Sequence, residues 1–143
     1  WIYAAGGGLR GWGTNALSRD GGRTWGRIGR GLDRAYGWAQ AADPLRPEVW
    51  YVSAAPDPAH AHGEHNAQAA IYRSEGDHWR QLTGGLPQPL AHMPYALCID
   101  PDAPGHIYAG LSNGAIWHSA DYGDRWTQLP VQLPTLQRSM VRL

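Results

Sequence analysis

Lysine and phenylalanine are both missing from the 143 residues, so arginine supplies all 12 basic side chains, and Trp and Tyr supply every aromatic one. GC-rich coding accounts for that bias without any arginine-specific chemistry. The 12 acidic residues cancel the 12 basic ones. With no net charge, no global field draws the chain to nucleic acid or to an anionic membrane. Cysteine occurs once, as Cys98 in the apolar stretch Tyr95-Ala96-Leu97-Cys98-Ile99. An intramolecular disulfide is thereby excluded, and Cys98 reads as a small buried hydrophobe. No apolar run approaches the roughly 18 residues that cross a bilayer. No helical period persists, so helix should be scarce. The first residue is Trp1 rather than Met, which reads as a processed form or an excised piece.

What the chain does contain is a repeat. Ser18-Arg19-Asp20-Gly21-Gly22-Arg23-Thr24-Trp25 and Ser119-Ala120-Asp121-Tyr122-Gly123-Asp124-Arg125-Trp126 share the pattern S-x-D-x-G-x-x-W. A shortened relative, Ser74-Glu75-Gly76-Asp77-His78-Trp79, lies between them. Trp25, Trp79 and Trp126 are spaced by 54 and then 47 residues. A second anchor has a similar period: Asp43-Pro44-Leu45-Arg46-Pro47 returns as Asp100-Pro101-Asp102-Ala103-Pro104 after 57 residues. An apolar-Tyr strand follows each (Val49 to Val52, His106 to Ala109), and the chain opens on the same strand, Trp1 to Ala4. Units of this length point to a repeat architecture.

The repeated phrase resembles the Asp-box, or BNR repeat, which sits on a hairpin turn in successive blades of one class of β-propeller. The resemblance covers residues 1 to about 130. It implies an all-β fold of about three four-stranded antiparallel blades, at about 1–29, 37–83 and 94–130. It also implies structural roles for Ser18, Asp20, Gly22, Trp25, Ser74, Trp79, Ser119, Asp121, Gly123 and Trp126. The Asp and Ser would accept from backbone N–H groups in the turn. The Gly would take positive φ, and the Trp ring would pack between neighbouring sheets. The middle copy lacks the usual Asp and two positions of spacing, so its turn should be tighter.

The third unit serves as the template. Tyr95–Ile99 is strand A, stopped by Pro101 and Pro104. Strand B, His106–Ala109, ends at Ser112-Asn113-Gly114; strand C is Ala115–His118, and strand D is Trp126–Leu129. Propellers usually hold about four to eight blades. A chain of about three that opens on a strand B, and ends at 135–143 where a strand A is due, suggests part of a larger propeller or two chains closing head-to-tail. Open terminal strands favour self-association.

In a four-stranded meander the A–B and C–D turns share one end of the sheet, and the B–C and D–A connections share the other. Length varies at that second end: from the strand-B Tyr to the motif Ser is 15, 23 and 11 residues. Function tends to sit on such loops. The longest, from Ala54 to Ala69, carries His60, His62, Glu64 and His65, a set that could hold zinc, although three ligands within six residues make an awkward tetrahedron. Gly6-Gly7-Gly8 lacks the context of a phosphate cradle. Crossovers bring Arg27, Arg30, Arg34 and His92. An arginine can clamp a carboxylate, and sialidases, the Asp-box enzymes, use an arginine cluster so, together with a Tyr–Glu pair and a separate acid. No Tyr–Glu pairing is legible, and nothing aims Asp33 at Asp57. The expected function is a non-catalytic scaffold or binding module for a protein or glycan. The alternative is a fragment of a sialidase-like or other glycoside hydrolase propeller, with its acids partly elsewhere. No cofactor is expected beyond a metal at the histidine loop, and neither nucleic acid nor membrane is an expected partner.

Overall fold

Short strands interrupted by Gly, Pro, Asn and Asp leave little room for anything but tight meanders. The structure, a computed structural model, describes residues 1–6, 15–27, 30–63, 66–75, 78–137 and 140. Three antiparallel sheets result. The first holds β1 (Ile2–Ala4), β2 (Ala16–Ser18) and β3 (Gly26–Arg27). The second holds β4 (Tyr36–Ala42), β5 (Trp50–Ala55), β6 (Ala70–Glu75) and β7 (His78–Leu82). The third holds β8 (Pro94–Ile99), β9 (Ile107–Leu111), β10 (Ala115–Ser119) and β11 (Thr127–Gln132). Each strand pairs with its neighbour in sequence. Among the described residues no helix is long and apolar enough to cross a membrane.

The second sheet lies between the other two. Every residue of β5 is buried, because alternate side chains enter different cores. Trp50, Val52 and Ala54, with Ala70 and Tyr72 of β6, meet Leu17 and Tyr3 of the first sheet. Tyr51, Ala55 and Ile71 meet Leu97, Ile107 and Ala109 of the third. A strand with both faces covered loses most of the polar half of the two-residue period, and the one polar residue of β5, Ser53, is buried and accepts from the Ala39 N–H at 3.0 Å. The Trp50 ring sits 4.8 Å from Tyr3 and 4.5 Å from Trp79, contacts worth about 0.5–1.5 kcal/mol beyond area burial.

A pair of equivalent backbone contacts joins the sheets. The Trp79 N–H donates to the Arg30 carbonyl, and the Trp126 N–H to the Gly84 carbonyl, each at 2.8 Å. The next residue in each crossover is a glycine, Gly31 at φ +84° and Gly85 at φ +80°. A Cβ at either would lie 2.3 Å from the Trp79 or Trp126 carbonyl oxygen. The same register continues in sequence, since Trp79-Arg80-Gln81-Leu82 through Leu86-Pro87 matches Trp126-Thr127-Gln128-Leu129 through Leu133-Pro134. Val131 and Gln132 stand there in place of Gly84 and Gly85, and both belong to β11.

Beyond β11 the described residues 135–137 and Met140 form no strand, although the sequence predicts one over 135–143; positions 138–139 and 141–143 lie outside the described residues. Thr135 Oγ1 donates to the Ser112 carbonyl at 3.0 Å. Leu136 and Met140 cover Ala96 and Ile116 on the outer face of the third sheet. The reason is legible in the repeat: Leu133-Pro134 and Met140 match Leu86-Pro87 and Met93 of the crossover that precedes β8, each 47 residues earlier. Cys98 is half-buried rather than a core residue.

Substituting Gly85→Ala forces a positive φ and a backbone clash together, whereas Gly21→Ala, at φ +72° with nothing within 4 Å, meets only the first. Urea unfolding should show a loss of about 1 kcal/mol for Gly21→Ala and about 2–4 kcal/mol for Gly85→Ala. Equal losses would remove the close approach as a cause.

Candidate functional site

The two full S-x-D-x-G-x-x-W turns close identically. Ser18 Oγ donates to Asp20 Oδ1 and accepts from the Gly22 N–H, each at 2.8 Å. Ser119 Oγ donates to Asp121 at 2.8 Å and accepts from the Gly123 N–H at 2.9 Å. Asp20 accepts from the Thr24 N–H at 2.9 Å, and Asp121 from the Arg125 N–H at 2.8 Å. The Trp25 and Trp126 indoles each donate to the glycine carbonyl three residues back, at 3.1 and 2.8 Å. Trp126 is buried between sheets. Trp25 is 46 % exposed, because its turn belongs to the first sheet, whose outer face nothing among the described residues covers. The shortened middle turn pairs Glu75 with His78 across the strand ends, leaving room for two residues only. Its Ser74 Oγ turns to β5, donating to the Glu48 carbonyl at 2.6 Å and accepting from the Trp50 N–H at 3.1 Å.

At that same end of the sheets, a cleft of about 450 Å³ is lined by Arg46, Glu48, Arg73, Glu75, Tyr122 and Asp124 among others. Its charges are already paired. Glu75 accepts from Arg80 at 2.5 Å and from Arg73 at 3.0 Å, and Asp124 accepts from both arginines. The Arg80 bond foremost, helped by Arg73, holds the Glu75 carboxyl below its ordinary range. This network ties the second sheet to the third-sheet turn.

The opposite end holds a different cleft, about 550 Å³, lined by Trp38, His62, Tyr95 and Gln137. Trp38 projects from β4 and is 39 % exposed; Tyr95 comes from β8. His62 closes the helix α1 (Pro58–His62), which forms where a loop is expected because Pro58 opens it and Asp57 caps it, accepting from the His60 N–H at 2.8 Å. His62 and Tyr95 stack at 5.7 Å and 13°. Trp38 stands at 73° to His62 and 60° to Tyr95, with centroids at 4.8 and 5.5 Å. The result is a corner with an indole on one side and two stacked rings on the other.

Hydrogen bonds fix that corner. Tyr95 Oη donates to the Ala61 carbonyl at 2.9 Å, so it accepts from His62 Nδ1 at 2.8 Å. The remaining nitrogen, Nε2, therefore accepts from the Tyr36 hydroxyl at 2.8 Å. A single chain of donors runs from Tyr36 through His62 and Tyr95 to the α1 backbone and selects the Nδ1–H tautomer. Burial pushes the Tyr95 phenol above its ordinary value.

The residues singled out from sequence are dispersed. His60 pairs with Asp57 at 2.8 Å, while His62 joins the aromatic corner, so these two do not converge. Glu64 and His65 lie outside the described residues, and among the described residues no three His, Cys, Asp or Glu side chains could hold a metal. Arg34 is taken up by the Gln68 carbonyl at 2.6 Å, Tyr72 at 2.7 Å and Asp33 at 2.8 Å. Arg30 contributes its carbonyl to Trp79, and His92 lines neither cleft. Trp38, Tyr36, Tyr95 and Gln137 were not legible as a site. Tyr36 and Trp38 alternate with Gly37 and Ala39 in β4, a pattern of large aromatics opposite small residues that marks an aromatic face on a strand. The chain matches no protein-family model and no curated protein.

The turns give a pH dependence. The Thr24 N–H and hydroxyl and the Ser18 hydroxyl hold Asp20 at about 2, against an ordinary 3.8. The Arg125 N–H foremost, with Ser119, outweighs desolvation and lowers Asp121 as well. Both folded values lie below the unfolded ones. Their contribution is complete above about pH 4 and is lost as pH falls toward 2. The variant with both Asp20→Asn and Asp121→Asn should be less stable at pH 7 by chemical denaturation and should lose less stability between pH 4 and pH 2. An unchanged slope would place the acid sensitivity elsewhere.

Proposed function

We propose that the chain forms successive blades of an Asp-box β-propeller and works without catalysis, as a binding module that presents its loop end to a protein or glycan. The observation that carries this reading is the repeated Trp contact. Equivalent residues join the second sheet to the first and the third to the second, and the edge strands β4 and β8 touch through Trp38 and Tyr95. Antiparallel meanders joined repeatedly in one way are the units from which propellers are built. The aromatic corner opens at the loop end, where rigid sheets present variable connections.

Glycoside hydrolysis requires one carboxyl kept protonated beside another kept ionised. Among the described residues Asp20, Asp33, Asp57, Glu75 and Asp121 are displaced toward ionisation, the reverse of what the acid role requires. The alternative of a sialidase-like fragment draws on one constellation, in which the Tyr72 hydroxyl donates to Asp33 beside Arg34. Tyr72 is fully buried, however, and burial followed by the Asp33 bond pushes its phenol far up. Such a ring is no nucleophile.

Aryl glycosides of glucose, galactose and N-acetylneuraminic acid should release no aryl alcohol above buffer when incubated with the purified chain. Release that disappears in Asp33→Asn or Tyr72→Phe would contradict the binding reading and favour the hydrolase.

A further inference from the structure

We propose that the corner formed by Trp38, His62 and Tyr95 binds a neutral hexopyranose, with one face of the sugar ring on the Trp38 indole and its hydroxyl edge toward Gln137. This rests on the binding-module reading and gives its loop end a ligand class.

Three features select the sugar. A half-exposed indole on a strand offers a flat apolar surface with a polar N–H edge, and Trp38 packs at an angle to rings on α1 and β8. The indole and the two stacked rings meet at 60° to 73°. A pyranose fits such a corner, because its C–H face and its hydroxyl rim call for different surfaces at an angle. A polyproline helix instead needs parallel aromatic ridges with a slot between them. The lining among the described residues, Trp38, His62, Tyr95 and Gln137, includes no carboxylate and no guanidinium. Arg34, the arginine that the sequence offers for clamping an acidic sugar, is 14 % exposed and bonded to Asp33, Tyr72 and a backbone carbonyl. A uronate or a sialic acid would bring a carboxylate into the corner, and none of these four side chains carries a guanidinium to pair it.

The corner is also pre-organised. His62 is bonded at both nitrogens and Tyr95 at its hydroxyl, so little side-chain freedom is lost on binding. Gln137 is exposed on the segment after β11 and supplies both a donor and an acceptor. A single pyranose is small, and its affinity should be on the order of 1 mM.

Saturation-transfer NMR on the purified chain tests the assignment, using methyl glucopyranoside, galactopyranoside and mannopyranoside against glucuronate, N-acetylneuraminate and a polyproline peptide. At least one neutral pyranoside should respond, most strongly at the C–H protons of one ring face. The response should weaken on the order of 10-fold in Trp38→Ala and persist in Trp1→Ala, whose tryptophan is exposed elsewhere at 50 %. If Trp38→Ala does not fold, Gln137→Ala, on the exposed segment, should weaken the response in its place. A stronger response from the acidic sugars, or equal loss in Trp38→Ala and Trp1→Ala, overturns the proposal. Response from the peptide alone overturns the sugar class while leaving a binding module. Silence from every ligand together with turnover of an aryl glycoside overturns both.

Discussion

A tryptophan at the head of an outer strand hands its backbone N–H to the crossover of the sheet before it, and a glycine beside the acceptor lets the two backbones come that close. This contact occurs between the first and second sheets and again between the second and third. Much else follows from it. β5 becomes buried along its whole length, with Ser53 its one polar residue. The motif turn at Trp126 is pressed against Leu82, to the point that a Cβ on Gly123 would meet its methyl at 2.6 Å. The edge strands β4 and β8 are drawn together, and that juxtaposition places Trp38 beside Tyr95. The candidate site is thus a by-product of how the sheets are joined.

The contact has two unmatched ends. Trp25 occupies the donor position in the first sheet, and no described residue accepts its backbone N–H. Trp1, Ile2 and Trp25 are exposed on that sheet. At the other end Val131 and Gln132 replace the glycine pair, and Val131 and Leu133 are exposed. A glutamine in an extended strand cannot reproduce the approach made at Gly31 and Gly85. A second copy placed against Trp25 through its own residues 131–132 would therefore lack the joint that links the sheets within one chain.

How much of this could be read from the residues depends on whether the signal is local. The strands of the third unit, the turn bonds of Ser119 and Asp121, and the two ends of the meander follow from alternation, Pro and Gly placement and the hydrogen-bonding capacity of Ser and Asp. These are short-range properties. The joint was missed, because Gly31 and Gly85 look like ordinary turn glycines until Trp79 and Trp126 are known to lie against them. The helix α1 was missed for another reason, since a five-residue helix rests on one proline and one aspartate cap rather than on a period. The aromatic corner draws on β4, α1 and β8, 26 and 33 residues apart at its Tyr36–His62 and His62–Tyr95 hydrogen bonds, and no local pattern could bring them together. Arg34 is a ligand candidate in sequence by its crossover position and its guanidinium, and its capture by Tyr72 and Asp33 shows how burial converts such a side chain into a structural one.

The joint can be observed directly by amide hydrogen exchange, followed by NMR, at the backbone N–H groups of the three motif tryptophans. The account predicts strong protection at Trp79 and Trp126, where each N–H is bonded to the preceding sheet, and exchange near the unstructured rate at Trp25. Rapid exchange at Trp79 and Trp126, or protection at Trp25 equal to theirs in dilute solution, would contradict it.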